Sequence, residues 1–400
     1  MRSNGMTGVP ILAIAMGVCA TAHLTAEEPR EGLGDGVLYE ADLSVAPIVI
    51  TGWLKLPHSS ELVILDTGSS TDLILDRKLA ATLGPPANEV VIKGLHSPTY
   101  QVPGSSLGEL SIPPEEISSA DLGVFRTVLG LPINGIVGWP ALKGKTLILD
   151  YDQHKVRIVK GAYKLPDQKE AIPVFLDATE RPQIRVDLGG GDVDMLLDTG
   201  SNTSMSLLPK DFDRLAAKGW IHLRDQTSKL TNLSGDHAVR TGWFTEGSLL
   251  GVSLKGIEVE STEDVNCIGL EFFAKLDLAI SNEPSALSYK PRVNPEPPIA
   301  PAMMMGMIAT FSENHATVAK IKPGRAAEKA GLKLGDEILG IDEVEDEKLS
   351  YVSLYRLCEK YAGKPVALRI RRGGEERKIV LTISAPISAW DTQAAVESGS

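Results

Sequence analysis

The chain has 400 residues, 43% of them apolar and 23% charged, with a formal net charge of −12. That length suits two to four domains, and that apolar content excludes wholesale disorder. The acidic balance, 52 Asp and Glu against 40 Lys and Arg, disfavours nucleic acid as a partner, and three cysteines exclude a disulfide framework.

In chain order, residues 1–22 read as a secretory signal: Arg2, the short apolar run 9–18, then the small residues Ala20-Thr21-Ala22. The run is shorter than the roughly 20 apolar residues that span a bilayer. Val18 is bulkier than lipoprotein signals tolerate before a modified cysteine, which argues against Cys19 as a lipid anchor. The leader implies a periplasmic or secreted bacterial protein whose mature chain has no membrane span. Residues 40–290 are short β-type runs (46–56, 61–65, 90–92, 147–151, 183–188, 193–197) broken by Gly, Pro, Asn and Asp. Helical patterns there are few, chiefly 76–83 and 209–218. Residues 291–301 hold five prolines and read as a semi-rigid linker. Residues 302–385 mix strands with two brief helices: a small-residue turn at 326–330 stopped by Gly331, and an amphipathic stretch at 353–361 with Leu354, Leu357 and Cys358 on one face. A hairpin across Arg372-Gly373-Gly374 follows, and Arg369, Arg371 and Arg372 read as its solvated side. Residues 386–400 read as a flexible tail.

An internal repeat carries the chemistry. Leu65-Asp66-Thr67-Gly68-Ser69-Ser70 recurs 132 residues later as Leu197-Asp198-Thr199-Gly200-Ser201-Asn202. Each copy follows a strand and a hairpin turn. Ile136-Val137-Gly138, ending 72 residues after Asp66, matches Cys267-Ile268-Gly269, ending 71 after Asp198. One Asp-Thr-Gly is a weak signal; two in matched apolar contexts are a specific one. Two carboxyl groups held together cannot both ionise cheaply and share one proton. The ionised member can then deprotonate a bound water while the protonated member hydrogen-bonds a carbonyl. No metal or organic cofactor is implied.

On these paired motifs the chain resembles the aspartic peptidases of the pepsin and retropepsin type over about residues 45–290. The resemblance implies a mainly β protein with two tandem retropepsin-like β-barrel lobes, at 40–162 and 163–290, and makes Asp66 and Asp198 the catalytic pair. By the same resemblance, Thr67 and Thr199 cross-link the two loops, Ser69 and Ser201 hydrogen-bond the outer carboxylate oxygens, and Gly68 and Gly200 leave room for water and substrate. The strands ending at Gly138 and Gly269 would pass behind the loops. Flap candidates lie on the hairpins 93–100 and 233–239, with Gly94, Tyr100 and Gly235 singled out. Cys267 stands where an aliphatic is usual and reads as packing.

The run 323–342 (PGRAAEKAGLKLGDEILGID) resembles a bacterial PDZ domain, an α+β fold here spanning 302–385. PDZ domains bind a peptide C-terminus by strand addition. The resemblance makes Met305, Gly306, Met307 and Ile308 the carboxylate loop and the start of the edge strand. The expected protein is an exported aspartic endopeptidase acting on protein or peptide substrates, with the PDZ recruiting a substrate or partner. Both aspartates lie in one chain, so no oligomer is required for catalysis. The alternative is a peptide-binding scaffold built on inactive lobes.

Overall fold

The computed structural model describes residues 36–385 apart from 44–48, 93–94, 167, 169–170, 225–227, 233–234, 294, 296–300, 313–314, 323, 343 and 346–348. The expected signal at 1–22, most of the 291–301 linker and the tail at 386–400 lie outside the described residues. What is described is mainly β.

Residues 51–138 form a nine-stranded sheet and residues 175–268 an eight-stranded one, and the two repeat each other. In the first, the neighbours run Thr51–Leu56, Ser59–Asp66, Ile133–Gly138, Leu73–Asp76, Glu115–Ala120, Leu95–Val102, Asn88–Ile92. In the second they run Pro182–Asp187, Asp192–Leu197, Cys267–Ile268, Met205–Leu207, Glu258–Ser261, Thr241–Phe244, Ile221–Leu223. The unusual parallel pairs fall at the same places: Ser59–Asp66 with Ile133–Gly138, and Asp192–Leu197 with Cys267–Ile268. The sequence repeat is therefore a repeat of topology.

A third sheet joins the halves. Lys145–Asp150 of the first pairs antiparallel with Leu276–Ser281 of the second, and Thr146 and Ser281 share a buried hydroxyl hydrogen bond of 2.8 Å. Strands Val37–Asp42 and Lys155–Lys160 flank this pair on one side, Ala286–Pro291 and Ile172–Pro173 on the other. One continuous apolar core runs through both halves, including Leu65, Val137 and Leu197 beneath the repeated loops. Burying a side chain of that size contributes on the order of 1.5–3 kcal/mol.

Short helices punctuate the sheets. Asp76 caps Arg77–Ala80 by accepting from the Lys78 amide at 3.0 Å, and Pro209–Ala217 opens on its proline. A helix that sequence reading does not anticipate, Gly123–Leu129, ends on Gly130 in the left-handed conformation (φ 64), whose amide donates to Arg126 O at 2.8 Å.

The C-terminal unit is one sheet in the order Met307–Ser312, His315–Ile321, Glu337–Ile341, Pro365–Arg372, Glu375–Thr382, with its own core. The helix Tyr351–Lys360 starts on a reciprocal capping box between Ser350 and Ser353 and buries Leu354, Leu357 and Cys358. The expected basic face is neutralised: Arg372 grips the buried Asp336 through two nitrogens at 2.6 Å, Arg371 pairs with Glu337, and Arg369 pairs with Glu345. Among the described residues, no helix is long and apolar enough to cross a membrane.

Candidate active site

Each Asp-Thr-Gly loop begins where its strand ends, and the two loops meet. Thr67 Oγ1 donates to Leu197 O at 2.6 Å, and Thr199 Oγ1 donates to Leu65 O at 2.8 Å. The amides cross as well: Thr67 N donates to Thr199 Oγ1 and Thr199 N to Thr67 Oγ1, both at 3.0 Å. Both threonines are buried, at 2% and 0% exposure, so each hydroxyl must find a partner inside the protein and finds it in the other half.

The crossed bonds bring Asp66 and Asp198 into side-chain hydrogen-bond contact, both half-buried. Burial raises both carboxyl groups above the ordinary value. The mutual contact of the two carboxyls raises Asp66 further, while the amides of Gly68 and Ser69 on Asp66, and of Gly200 and Ser201 on Asp198, offset part of the rise. Two raised carboxyls in contact favour a single shared proton between them. The pair titrates as a unit.

Gly68 N donates to Asp66 Oδ1 at 2.8 Å, and Gly200 N and Ser201 N donate to Asp198 Oδ1 at 2.8 and 3.2 Å. The two glycines leave no room for a side chain. A Cβ on Gly68 would stand 2.5 Å from Asp198 Cγ, and one on Gly200 would overlap the Asp66 carboxyl. Behind the loops, Gly138 lies opposite Asp66 in the parallel ladder, and Asp198 N donates to Ile268 O at 3.0 Å. A Cβ on Gly138 or Gly269 would run into the carbonyls of Thr71 and Thr203 respectively.

Several expectations need correcting. Ser69 and Ser201 do not place their hydroxyls on the carboxylates; these pair with Thr71 Oγ1 and Thr203 Oγ1 at 3.2 and 2.9 Å. The tight turns aim backbone amides at the carboxyl oxygens instead. Tyr100 is no tip residue: it sits at the base of the hairpin Asn88–Ile92/Leu95–Val102, opposite Ile117, and is buried in the core. Gly94 lies outside the described residues. Gly235 opens the return strand of a second hairpin, Ser228–Asn232 with Gly235–Val239. That hairpin forms a two-stranded sheet of its own, inserted in the chain between Ile221–Leu223 and Thr241–Phe244. Cys267 is buried among the strands, and burial, then the Asp198 charge, pushes its thiol up to about 12, which leaves it inert packing.

Sequence reading also misses acids beside the segments that follow the loops. Glu271 accepts from Ser204 Oγ at 2.6 Å and Glu260 from Ser206 Oγ at 2.7 Å, and burial raises both. Glu115 is pushed up to about 7 by burial and by Asp72. Glu271 is the most legible of them, standing two residues past the repeated Gly269. Among the described residues, no His, Cys, Asp and Glu cluster is arranged to hold a metal ion.

In the C-terminal unit the four residues expected to capture peptide separate. Met305 and Met307 are buried in the core, as Met304 is. Gly306 makes a left-handed turn (φ 75) against Arg325, and only Ile308 is exposed, at 39%. Alternation along a strand forces this split, because residues 307 and 308 must face opposite ways. The strand Met307–Ser312 itself is a sheet edge, as strand addition requires.

A family model for the PDZ domain matches residues 301–383, about a fifth of the chain, and this unit is a PDZ domain. No curated protein matches the chain. A solved structure, an aminopeptidase N family protein from Idiomarina loihiensis, is 27% identical over 21% of this chain, with a TM-score of 0.19. The match spans only 14% of that protein's length.

Proposed function

We propose that the chain is an aspartic endopeptidase with two retropepsin-like lobes, in which water activated between Asp66 and Asp198 attacks a peptide carbonyl. The observation that carries the reading is the reciprocal Thr67–Thr199 lattice, which holds two carboxyl groups in hydrogen-bond contact. The ionised member of the pair takes the proton of the water, and the protonated member donates to the carbonyl oxygen. The glycines beside each carboxyl leave room for substrate, and the hairpin Ser228–Asn232/Gly235–Val239 is the candidate cover. The PDZ domain recruits a protein or peptide chain end. The leader at 1–22 directs export to the periplasm or beyond, which N-terminal sequencing of the mature protein checks.

The test is hydrolysis of an unstructured protein such as casein across pH. Wild type is expected to give a bell-shaped profile whose acid limb lies above the ordinary carboxylate range of about 4, because both carboxyls are raised. Asp66→Asn and Asp198→Asn are each expected to lose activity by at least about 10³-fold. Activity surviving either substitution removes the mechanism, and a wild type inert at every pH turns the lobes into a peptide-binding scaffold.

A further inference from the structure

A PDZ groove runs between the edge strand and the helix beside it, here Met307–Ser312 and Tyr351–Lys360. In this chain the groove has an occupant. The helix Gly123–Leu129 of the first half packs along Met307–Ser312 and touches Tyr351–Lys360. Its cap, Gly130, is wedged between the two walls: a Cβ there would stand 2.7 Å from Phe311 Cγ on the strand and 2.8 Å from Ser350 Cα at the helix start. Val352, 1% exposed on the PDZ helix, is buried in one apolar cluster with Leu122, Leu129, Leu131 and Ile133 of the first half. An extended peptide added to this edge and the Gly123–Leu129 helix claim the same space.

We infer that the helix Gly123–Leu129 with Gly130 is a built-in competitor for the PDZ groove, and that a free chain end binds by displacing it. The helix is held at its other end by the lobe: Asp76 Oδ2 accepts from Leu122 N at 3.1 Å and from Arg126 Nη2 at 2.9 Å. It runs through Leu131 straight into Ile133–Gly138, the strand that backs the Asp66 loop. Displacement at the groove is therefore transmitted along one continuous segment to the loop, and by linkage a ligand at the loop alters groove affinity by the same factor. This last coupling rests on the peptidase reading; the competition itself does not.

The experiment uses the full chain and a pool of random short peptides with free C-terminal carboxylates, with the same pool amidated as control. Leu129→Asp, which removes the apolar anchor of the helix, is expected to bind the carboxylate pool at least about tenfold more tightly than wild type and to ignore the amidated pool. In wild type, saturating peptide is expected to speed hydrogen exchange at 123–130 while slowing it at 307–312. Equal binding by the two proteins, no binding by either, or exchange at 123–130 indifferent to bound peptide overturns the inference. Should thermal melting show Leu129→Asp unfolded, the exchange measurement on wild type decides alone. Neither readout involves hydrolysis, so an inactive dyad changes neither binding nor exchange as tests of the competition.

Discussion

Asp66 and Asp198 are both raised by burial, so ionisation of the pair works against folding. The sign is definite: the folded carboxyl titrates above the unfolded value of about 3.9, so the cost is absent well below that value and full once pH exceeds the folded one. Asp66→Asn removes the cost, and it is expected to melt higher than wild type at neutral pH, with the gain vanishing towards pH 3. Calorimetric scans at the two ends of that range test it; equal melting temperatures at neutral pH contradict the raised carboxyl. The aspartates are legible in the sequence because the same tripeptide recurs around them in matched apolar contexts. The serine hydroxyls are not, because sequence does not reveal that the backbone of a tight turn reaches the carboxyl oxygens first. Tyr100 misleads for a related reason: a tyrosine near a turn has the composition of a flap, and only its pairing with Ile117 places it in the core.

Among the elements, the strands announce themselves by alternation and by the breakers between them, whereas Gly123–Leu129 does not announce itself as a helix. Its sequence, GVFRTVL, carries two valines, a threonine and a phenylalanine, residues that favour strands. Tertiary contacts impose the helix: Asp76 grips its first turn, Gly130 ends it, and the PDZ domain covers one side. Burial alone would raise the Asp76 carboxyl, but the Leu122 amide, the Arg126 guanidinium and the Lys78 amide hold it below the ordinary value. Asp76→Ala is therefore expected to cost about 2–4 kcal/mol at neutral pH. A lowered carboxyl contributes stability above its unfolded value, so the gap between variant and wild type closes as pH falls through the folded one. Denaturant titrations at neutral and strongly acidic pH measure it, and a gap constant with pH would contradict the assignment.

For the whole molecule, the order of the units is readable in the sequence, but the seam between the halves is not. Lys145–Asp150 and Leu276–Ser281 look like ordinary apolar strands, and nothing local says that each completes a sheet with the other. A fragment spanning residues 36–162 would leave Lys145–Asp150 as a bare edge with Leu147 and Leu149 uncovered, which invites pairing between copies. Such a fragment is expected to elute as dimer or aggregate in size-exclusion chromatography with light scattering, while the full chain stays monomeric; a monomeric fragment would contradict the seam. The crossed threonine bonds carry a temporal consequence. They act as a logical AND across 132 residues of chain, since neither loop holds its geometry without the other. Contacts so distant in sequence close late in folding. A polypeptide still emerging from synthesis thus carries two isolated carboxyl groups that titrate like any others, and their contact comes into being only when the last partner arrives.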